Sequence, residues 1–220
     1  MPGTLYIVST PIGNLADMTL RAIEVLKSVD LIAAEDTRHT RILLDRYAIK
    51  TPTTSYFEYN KLQKSDYLLK TLKDGSSVAL VSDAGTPGIS DPGYKIIRMC
   101  IDSSIPVVPI PGPSALLAAL TISGKPTDKF TFEGFLSNKT IKRKNQLKKL
   151  RLEERTVILY ESPHRITKLL QDILEIYGDI DIVLARELTK KFEEVKRNKV
   201  SALVEEFNSI KPRGEFIVII

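Results

Sequence analysis

The 220-residue chain contains one cysteine, two histidines and no long hydrophobic run. Each scarcity removes a class of protein. No apolar stretch reaches the roughly 18 residues that a membrane span requires, and the N-terminus enters a strand-like segment with no basic leader, so a soluble, cytoplasmic protein is expected. The lone Cys100 lies among Ile96, Ile97, Met99 and Ile101 and reads as a core thiol, so no disulfide can form within the chain, in keeping with a reducing compartment. His39 and His164 have no Cys or His at ligand spacing, and no metal site is expected. Three sequence motifs are also missing. No Lys-Ser or Lys-Thr closes the glycine-rich loop as a Walker A motif would, only Gly13 follows the first strand where a dinucleotide fingerprint would sit, and no serine occupies a Gly-x-Ser-x-Gly elbow. Internal repeats and low-complexity tracts are absent too.

What is present is an ordinary globular composition, 43% hydrophobic and 27% charged, with a formal net charge of +5. The charge is local. Seven basic residues and no acids lie between Lys139 and Arg151, and the remainder of the chain holds 25 basic against 27 acidic residues. A concentrated basic segment marks a polyanion surface better than a diffuse excess does, although a solvated helix face would give the same composition. Ile141, Leu147 and Leu150 are spaced to face a core, leaving Lys139, Lys142, Arg143, Lys144, Lys148 and Lys149 to meet phosphates. Four phosphates in single-stranded RNA would give a log–log salt slope of about −3, which replacing Lys142, Arg143 and Lys144 together should flatten.

The first half alternates short apolar runs (5–8, 31–34, 78–81, 106–110) with helical patterns (19–29, 37–46, 62–73, 93–101, 114–122). That rhythm predicts an α/β domain with a mainly parallel sheet, because parallel strands need crossover connections. Ligands on such sheets bind beyond the carboxyl ends of the strands. The residues following four of the strands are Ser9–Asn14, Glu35–Thr40, Ser82–Gly88 and Pro111–Ala115, polar and rich in Gly and Pro. Turn and capping chemistry accounts for part of this, but four such loops on one rim favour a site. Ser123–Asp128 reads as a linker, giving an N-terminal domain over 1–124 and a smaller C-terminal α/β domain over 125–220. Mixed spacing in the second half, with a hairpin partner near Phe192–Lys196, predicts a sheet that is not purely parallel. In Tyr160–Arg165 a strand runs into a helix with Ser162 as expected N-cap and Pro163 as first helical residue, which leaves Glu161, His164 and Arg165 unexplained.

Taken together, TPIGNL (10–15), EDTR-T (35–40), SDAGTPGISDPG (82–93), PGPSA (111–115), YESPHR (160–165) and ARELTK (185–190) resemble the signature set of the small-subunit ribosomal RNA ribose 2′-O-methyltransferases, within the tetrapyrrole methylase superfamily. Six motifs in order cover nearly the whole chain. The resemblance implies a two-domain tetrapyrrole-methylase-like fold, S-adenosylmethionine bound in a cleft between domains, a decoding-region cytidine of 16S rRNA in the small ribosomal subunit as acceptor, and a homodimer. It places the cofactor loops at Pro11 and Gly13, at Asp83, Ala84, Gly85, Thr86 and Pro87, at Ser114 and Ala115, and at Tyr160, with Ala185, Arg186, Glu187 and Leu188 as a further wall. Members of the family usually continue past the last strand, whereas this sequence stops at Ile220.

Methyl transfer to a ribose hydroxyl needs alignment and a route for the proton. Candidates for the base are His164, Glu35, Asp36 and Glu161, with Arg38 or Arg165 orienting a phosphate or the oxygen. Two other functions would account for part of the sequence. A small-molecule or tetrapyrrole methylase would use the same loops but give the basic helix, EDTR and YESPHR no purpose; a non-catalytic RNA-binding module would have no need of the intact glycines and Asp83.

Overall fold

The computed structural model describes residues 1–59 and 61–220. The chain divides into two compact units, 1–114 and 115–220. Unit 1 contains strands β1 (Leu5–Val8), β2 (Leu31–Ala34), β3 (Thr53–Ser55), β4 (Val78–Val81) and β5 (Val107–Ile110), all parallel in the order β3-β2-β4-β1-β5. Helices α1 (Leu20–Ser28), α2 (Thr37–Arg46), α3 (Lys61–Lys73) and α4 (Tyr94–Asp102) connect them. Strand alternation sorts the core into two layers. Val8, Ile32, Ala34, Ala79 and Val81 pack with Ala22 and Leu26 of α1 and Leu43 and Leu44 of α2. Leu5, Ile7, Ala33, Val78 and Leu80 pack with Leu68 and Leu72 of α3 and Ile96 and Cys100 of α4. Cys100 is fully buried, and burial pushes its thiol up to about 11, as a core thiol requires.

This sorting follows from topology. Connections leaving β1 and β2 run one way along the sheet and those leaving β3 and β4 run the other, so uniformly handed crossovers must place their helices on opposite faces. The adjacent strands β1 and β4 therefore send their chains to opposite faces, and a crevice opens at their carboxyl ends. Pro109 is accommodated because β5 is an edge strand. Strand β3 departs from the expected pattern: Thr53–Ser55 is short and polar, with none of the apolar periodicity that marks a strand.

Unit 2 begins with α5 (Ala115–Thr121) and contains β6 (Phe130–Phe135), α6 (Thr140–Leu150), β7 (Thr156–Glu161), α7 (Ile166–Tyr177), β8 (Asp181–Arg186), β9 (Glu194–Lys199), α8 (Val200–Ser209) and β10 (Phe216–Ile219). Its sheet order is β6-β7-β10-β8-β9; β6 and β7 are parallel and the other neighbours antiparallel, the mixed sheet that the spacing predicts. The hairpin partner of β8 lies slightly later than expected, at 194–199. Helices α6, α7 and α8 bury Leu147, Leu169, Leu170, Ile173, Leu203 and Phe207 against one face of the sheet.

The division between units falls before α5, earlier than the expected boundary at Gly124. Helix α5 packs on β10, and the carbonyls just past its end, at Ile122 and Ser123, accept hydrogen bonds from the Arg197 guanidinium of β9. Lys125 adds a bond of 2.8 Å to the Asp181 carbonyl. The polar run 123–128 is thus tied down within unit 2.

Two further expectations are corrected here. Helix α7 starts at Ile166, with Arg165 as N-cap and no side-chain cap; Ser162 instead closes a turn, its carbonyl accepting from the Arg165 and Ile166 amides. On α6, Ile141 points outward, 79% exposed, while Arg143 is buried at 3%. Positions 143 and 147 share a face at i, i+4 spacing, so the inward stripe is Arg143 with Leu147, and Ile141 lies off it.

Candidate functional site

The strand exits of unit 1 are knitted into one rim. Thr10, beyond β1, and Gly85, beyond β4, form an antiparallel bridge with reciprocal amide–carbonyl bonds of 2.9 and 3.0 Å. The Thr10 hydroxyl donates to the Ser82 carbonyl at 3.1 Å, and the hydroxyls of Ser9 and Thr86 lie 2.9 Å apart. Thr86 also donates to the Pro113 carbonyl at 3.4 Å, which draws in the β5 exit. Gly112 allows a close approach at that crossing, since a Cβ there would lie 3.0 Å from Ser9 Cβ. Gly85, at φ +81°, adopts a conformation that L side chains rarely take. The β2 exit joins through a double latch: the Asp36 amide donates to Asp83 Oδ1 at 3.0 Å and the Asp83 amide to Glu35 Oε2 at 3.4 Å.

Pro11, Asp83 to Pro87 and Ser114 are thereby brought to one edge together with Glu35 and Asp36; Gly13 lies exposed just beyond Pro11, and Ala115 opens α5 in the second unit. The rim segments 9–14, 35–40, 82–88 and 111–115 contain three carboxylates, against one arginine, Arg38, and one histidine, His39. Burial raises the Glu35 carboxyl above its ordinary value and the Asp83 charge adds to the rise, against an opposing hydrogen bond from the Asp83 amide. Asp36 is the opposite case. Hydrogen bonds from the Arg38 side chain and amide hold it well below the carboxylate range, and the same contacts cap α2. Arg38, with a side chain 90% exposed, is turned onto Asp36.

In unit 2 the remaining candidates gather at one edge of the sheet. Phe216, the first residue of β10, is paired with Glu161 on one side and Arg186 on the other, so the YESPHR and ARELTK segments flank one strand start. Tyr160 packs edge-on against Phe132 and Phe135, at centroid distances of 4.8 and 5.8 Å. Glu161 is buried and fully engaged: Oε1 accepts from the Ser162 amide at 2.8 Å and Oε2 from Arg165 at 3.0 Å. Burial raises its pKa, and the Ser162 amide and the Arg165 charge oppose that rise. Arg165 also donates to the Leu136 carbonyl at 2.5 Å. His164 sits exposed in the turn between them.

Beyond β8, Glu187 has φ +50° and folds back on the chain. Its Oε1 accepts from the Glu215 amide at 3.0 Å and from Lys190 at 2.9 Å, while Lys190 also reaches Glu215 at 2.8 Å. Burial alone would raise the Glu187 carboxyl, but these bonds outweigh it and hold it low. The Glu187 carboxylate is therefore a brace for the turn, and Ala185 and Leu188 beside it are buried.

The basic helix divides by geometry. Arg143 pairs with buried Asp172 at 2.7 Å, and Lys144 with Glu175 at 2.5 Å and Asp172 at 3.7 Å. Expected as RNA contacts, Arg143 is instead a core ion pair and Lys144 is committed to α7. Lys139, Lys142, Lys148 and Lys149 are exposed and form no ion pair among the described residues. Asp172 and Gly214 carry no motif that points to them in the sequence. A carboxylate on the apolar face of α7, between Leu169, Ile173 and Ile176, is the available signal for the first; nothing local marks the second.

A parallel α/β unit with a glycine- and proline-lined rim, followed by a mixed-sheet unit, is the fold of several methyltransferases. The whole chain superposes on diphthine synthase (TM-score 0.76, 16% identity, covering 99% of this chain and 90% of that one) and on Thermus thermophilus uroporphyrin-III C-methyltransferase complexed with S-adenosylhomocysteine (0.70, 17%, 99% and 97%), likenesses that establish the fold.

The chain belongs to the tetrapyrrole (corrin/porphyrin) methylase family, whose model matches residues 4–204. It is 51% identical to the ribosomal RNA small subunit methyltransferase I of Synechocystis over 99% of this chain and 78% of that protein. Against the protein of the same name from Thermotoga maritima it is 49% identical, over 99% of this chain and 98% of the relative.

Proposed function

We propose that the chain is an S-adenosylmethionine-dependent methyltransferase acting on a ribose 2′-hydroxyl of small-subunit ribosomal RNA, at a decoding-region cytidine of 16S rRNA. The observation that carries this reading is the rim at the β1/β4 crevice, cross-linked by hydrogen bonds, lined by glycine and proline, and bearing the Glu35 and Asp83 carboxylates, while the Arg38 charge is spent on Asp36. A sulfonium cofactor is repelled by cations and needs close backbone approach, so the donor set suits it. When bound, S-adenosylmethionine supplies an electrophilic methyl group on positively charged sulfur. Relatives at about half identity carry the small-subunit methyltransferase name over nearly the full chain, which supports RNA as the acceptor.

On this reading Pro11, Gly13, Asp83 to Pro87, Ser114, Ala115, Tyr160 and Ala185 to Leu188 are the cofactor residues. Glu35 is the best placed of the four base candidates. It stands at the rim with a raised pKa and, among the described residues, one long hydrogen bond, whereas Asp36 and Glu161 are consumed by arginines and His164 stands in an open turn. Glu35 would accept the ribose hydroxyl proton. Lys139, Lys142, Lys148 and Lys149 hold the RNA backbone. The functional form is a homodimer in the cytoplasm, which light scattering on the purified protein checks for stoichiometry.

Labelled S-adenosylmethionine, offered with undermethylated small subunits, free rRNA and a uroporphyrin-type tetrapyrrole, tests the acceptor. Transfer to the subunit with a single gap in the alkaline hydrolysis ladder is expected, because a 2′-O-methyl group removes the nucleophile that cleaves the chain. Transfer only to the tetrapyrrole would assign the chain to small-molecule methylation.

A further inference from the structure

The loop that joins β6 to α6 is held more firmly than a surface connection requires. Its three consecutive carbonyls are all bonded by half-buried or buried guanidinium groups: Leu136 by Arg165 at 2.5 Å, and Ser137 and Asn138 by Arg143 at 3.5 and 3.4 Å. The Ser137 amide donates to Gln146 at 2.9 Å, and the Lys139 amide to the Ser137 hydroxyl at 3.3 Å. Both guanidiniums are themselves fixed, Arg143 by Asp172 and Arg165 by Glu161. Surface loops ordinarily leave carbonyls to water, so this rigidity serves what the loop presents.

What it presents is an exposed aromatic ring followed in the chain by exposed lysines. Phe135, the last residue of β6, is 53% exposed, and Tyr160 meets it edge-on from the partner position in β7, leaving ring surface open to solvent. Lys139 and Lys142 follow within seven residues, Ile141 between them is 79% exposed, and residues 135–152 contain no acid. An exposed ring followed within seven residues by exposed lysines that form no ion pair among the described residues is the chemistry that grips single-stranded nucleic acid, a base stacking on the ring while phosphates meet the cations. The same patch would be a costly surface for a neutral solute, and lysines do not suit an apolar protein partner.

We propose that Phe135 stacks on an unpaired base of the acceptor RNA, that Lys139 and Lys142 hold the adjoining phosphates, and that Arg143 and Arg165 are positioning residues for this loop. The proposal rests on the reading of the chain as an RNA methyltransferase and adds to it the element that selects a single-stranded acceptor.

The test measures KM and kcat for undermethylated small subunits with labelled S-adenosylmethionine, and the Kd of S-adenosylmethionine by calorimetry. Phe135→Leu should raise KM for subunits roughly 5- to 150-fold, the range expected on removing one stacked base, with cofactor Kd unchanged. Phe135→Tyr should restore KM to near the parent value, since it keeps the stacking face. Arg143→Lys should likewise raise KM while sparing cofactor Kd, provided its thermal unfolding midpoint stays above the assay temperature. An unchanged KM in Phe135→Leu, an equal rise in Phe135→Tyr, or weakened cofactor binding in Phe135→Leu would each overturn the proposal. Failure of the parent protein to methylate subunits at all would instead overturn the functional reading on which it stands.

Discussion

Single residues decide both the chemistry and some of the stability. Glu35→Gln keeps an acceptor for the Asp83 amide and removes the base, so kcat should fall by about 10²- to 10⁴-fold with little change in cofactor affinity. The pH–rate profile separates this from a structural effect. A general base works only when deprotonated, and since the Glu35 pKa is raised, the acid limb of the parent enzyme should lie above the ordinary 4.5 and disappear in the variant. An acid limb that persists in Glu35→Gln would pass the role to another group. Gly214 makes a different kind of demand. It has φ +89°, and a Cβ there would sit 2.8 Å from Glu187 Oε1 and closer still to its Cγ. Gly214→Ala should therefore destabilise the protein by more than about 1 kcal/mol through backbone strain and displacement of the Glu187–Lys190 brace, seen as a lowered denaturant midpoint. The motifs in the sequence mark Glu35 and Glu187 but give them no ranking. Which carboxylates are spent on arginines, amides and lysines depends on partners from 2 to 48 positions away, as with Asp36 and Arg38 or Glu35 and Asp83, and only the nearest of these are legible in a chain.

At the scale of elements, α6 shows what periodicity resolves and what it leaves out. Charge and spacing locate the helix, and Leu147 faces the core as they suggest. They do not show that an arginine takes an inward position, because its partner Asp172 lies on α7, 29 residues on. The consequence is testable by splitting the cations into two sets. Asp172→Ala leaves the Arg143 charge buried without its partner and should cost about 3–5 kcal/mol of stability, measured by equilibrium unfolding. Replacing Lys142, Lys148 and Lys149 together should leave stability within about 1 kcal/mol, since surface charges contribute little. The same triple change should reduce the magnitude of the salt slope for RNA binding by about 2, at about 0.7 for each phosphate left without its lysine. An unchanged slope would mark this face as merely solvated. The apolar strands of both sheets are readable because their patterns are strong. Strand β3 is not, for Thr53–Ser55 gains its place from pairing with β2 and from no pattern of its own.

For the whole molecule, the two units each possess a core, so cofactor binding can be tested unit by unit. Composition marks two α/β regions, and the polar stretch after α5 looks like a linker, yet Arg197 and Lys125 fasten it within unit 2. The covalent link between the units is therefore Pro113–Ser114–Ala115, with the Pro113 carbonyl already bonded to Thr86 on the cofactor rim. A ligand that binds only the native form stabilises it by RT ln(1 + [L]/Kd), about 2.7 kcal/mol at one hundred times Kd. If S-adenosylmethionine touched the rim of unit 1 alone, calorimetry should show a raised midpoint for that unit and an unmoved one for unit 2. The proposed contacts at Tyr160 and Ala185–Leu188 predict a different outcome: both units shift together by about 5–10 °C, as expected for that free energy in a protein of this size. Tyr160→Ala should weaken cofactor binding and reduce the shift of unit 2 more than that of unit 1. A shift confined to unit 1 in the parent protein would remove the second unit from the cofactor site and leave it the RNA-binding role alone.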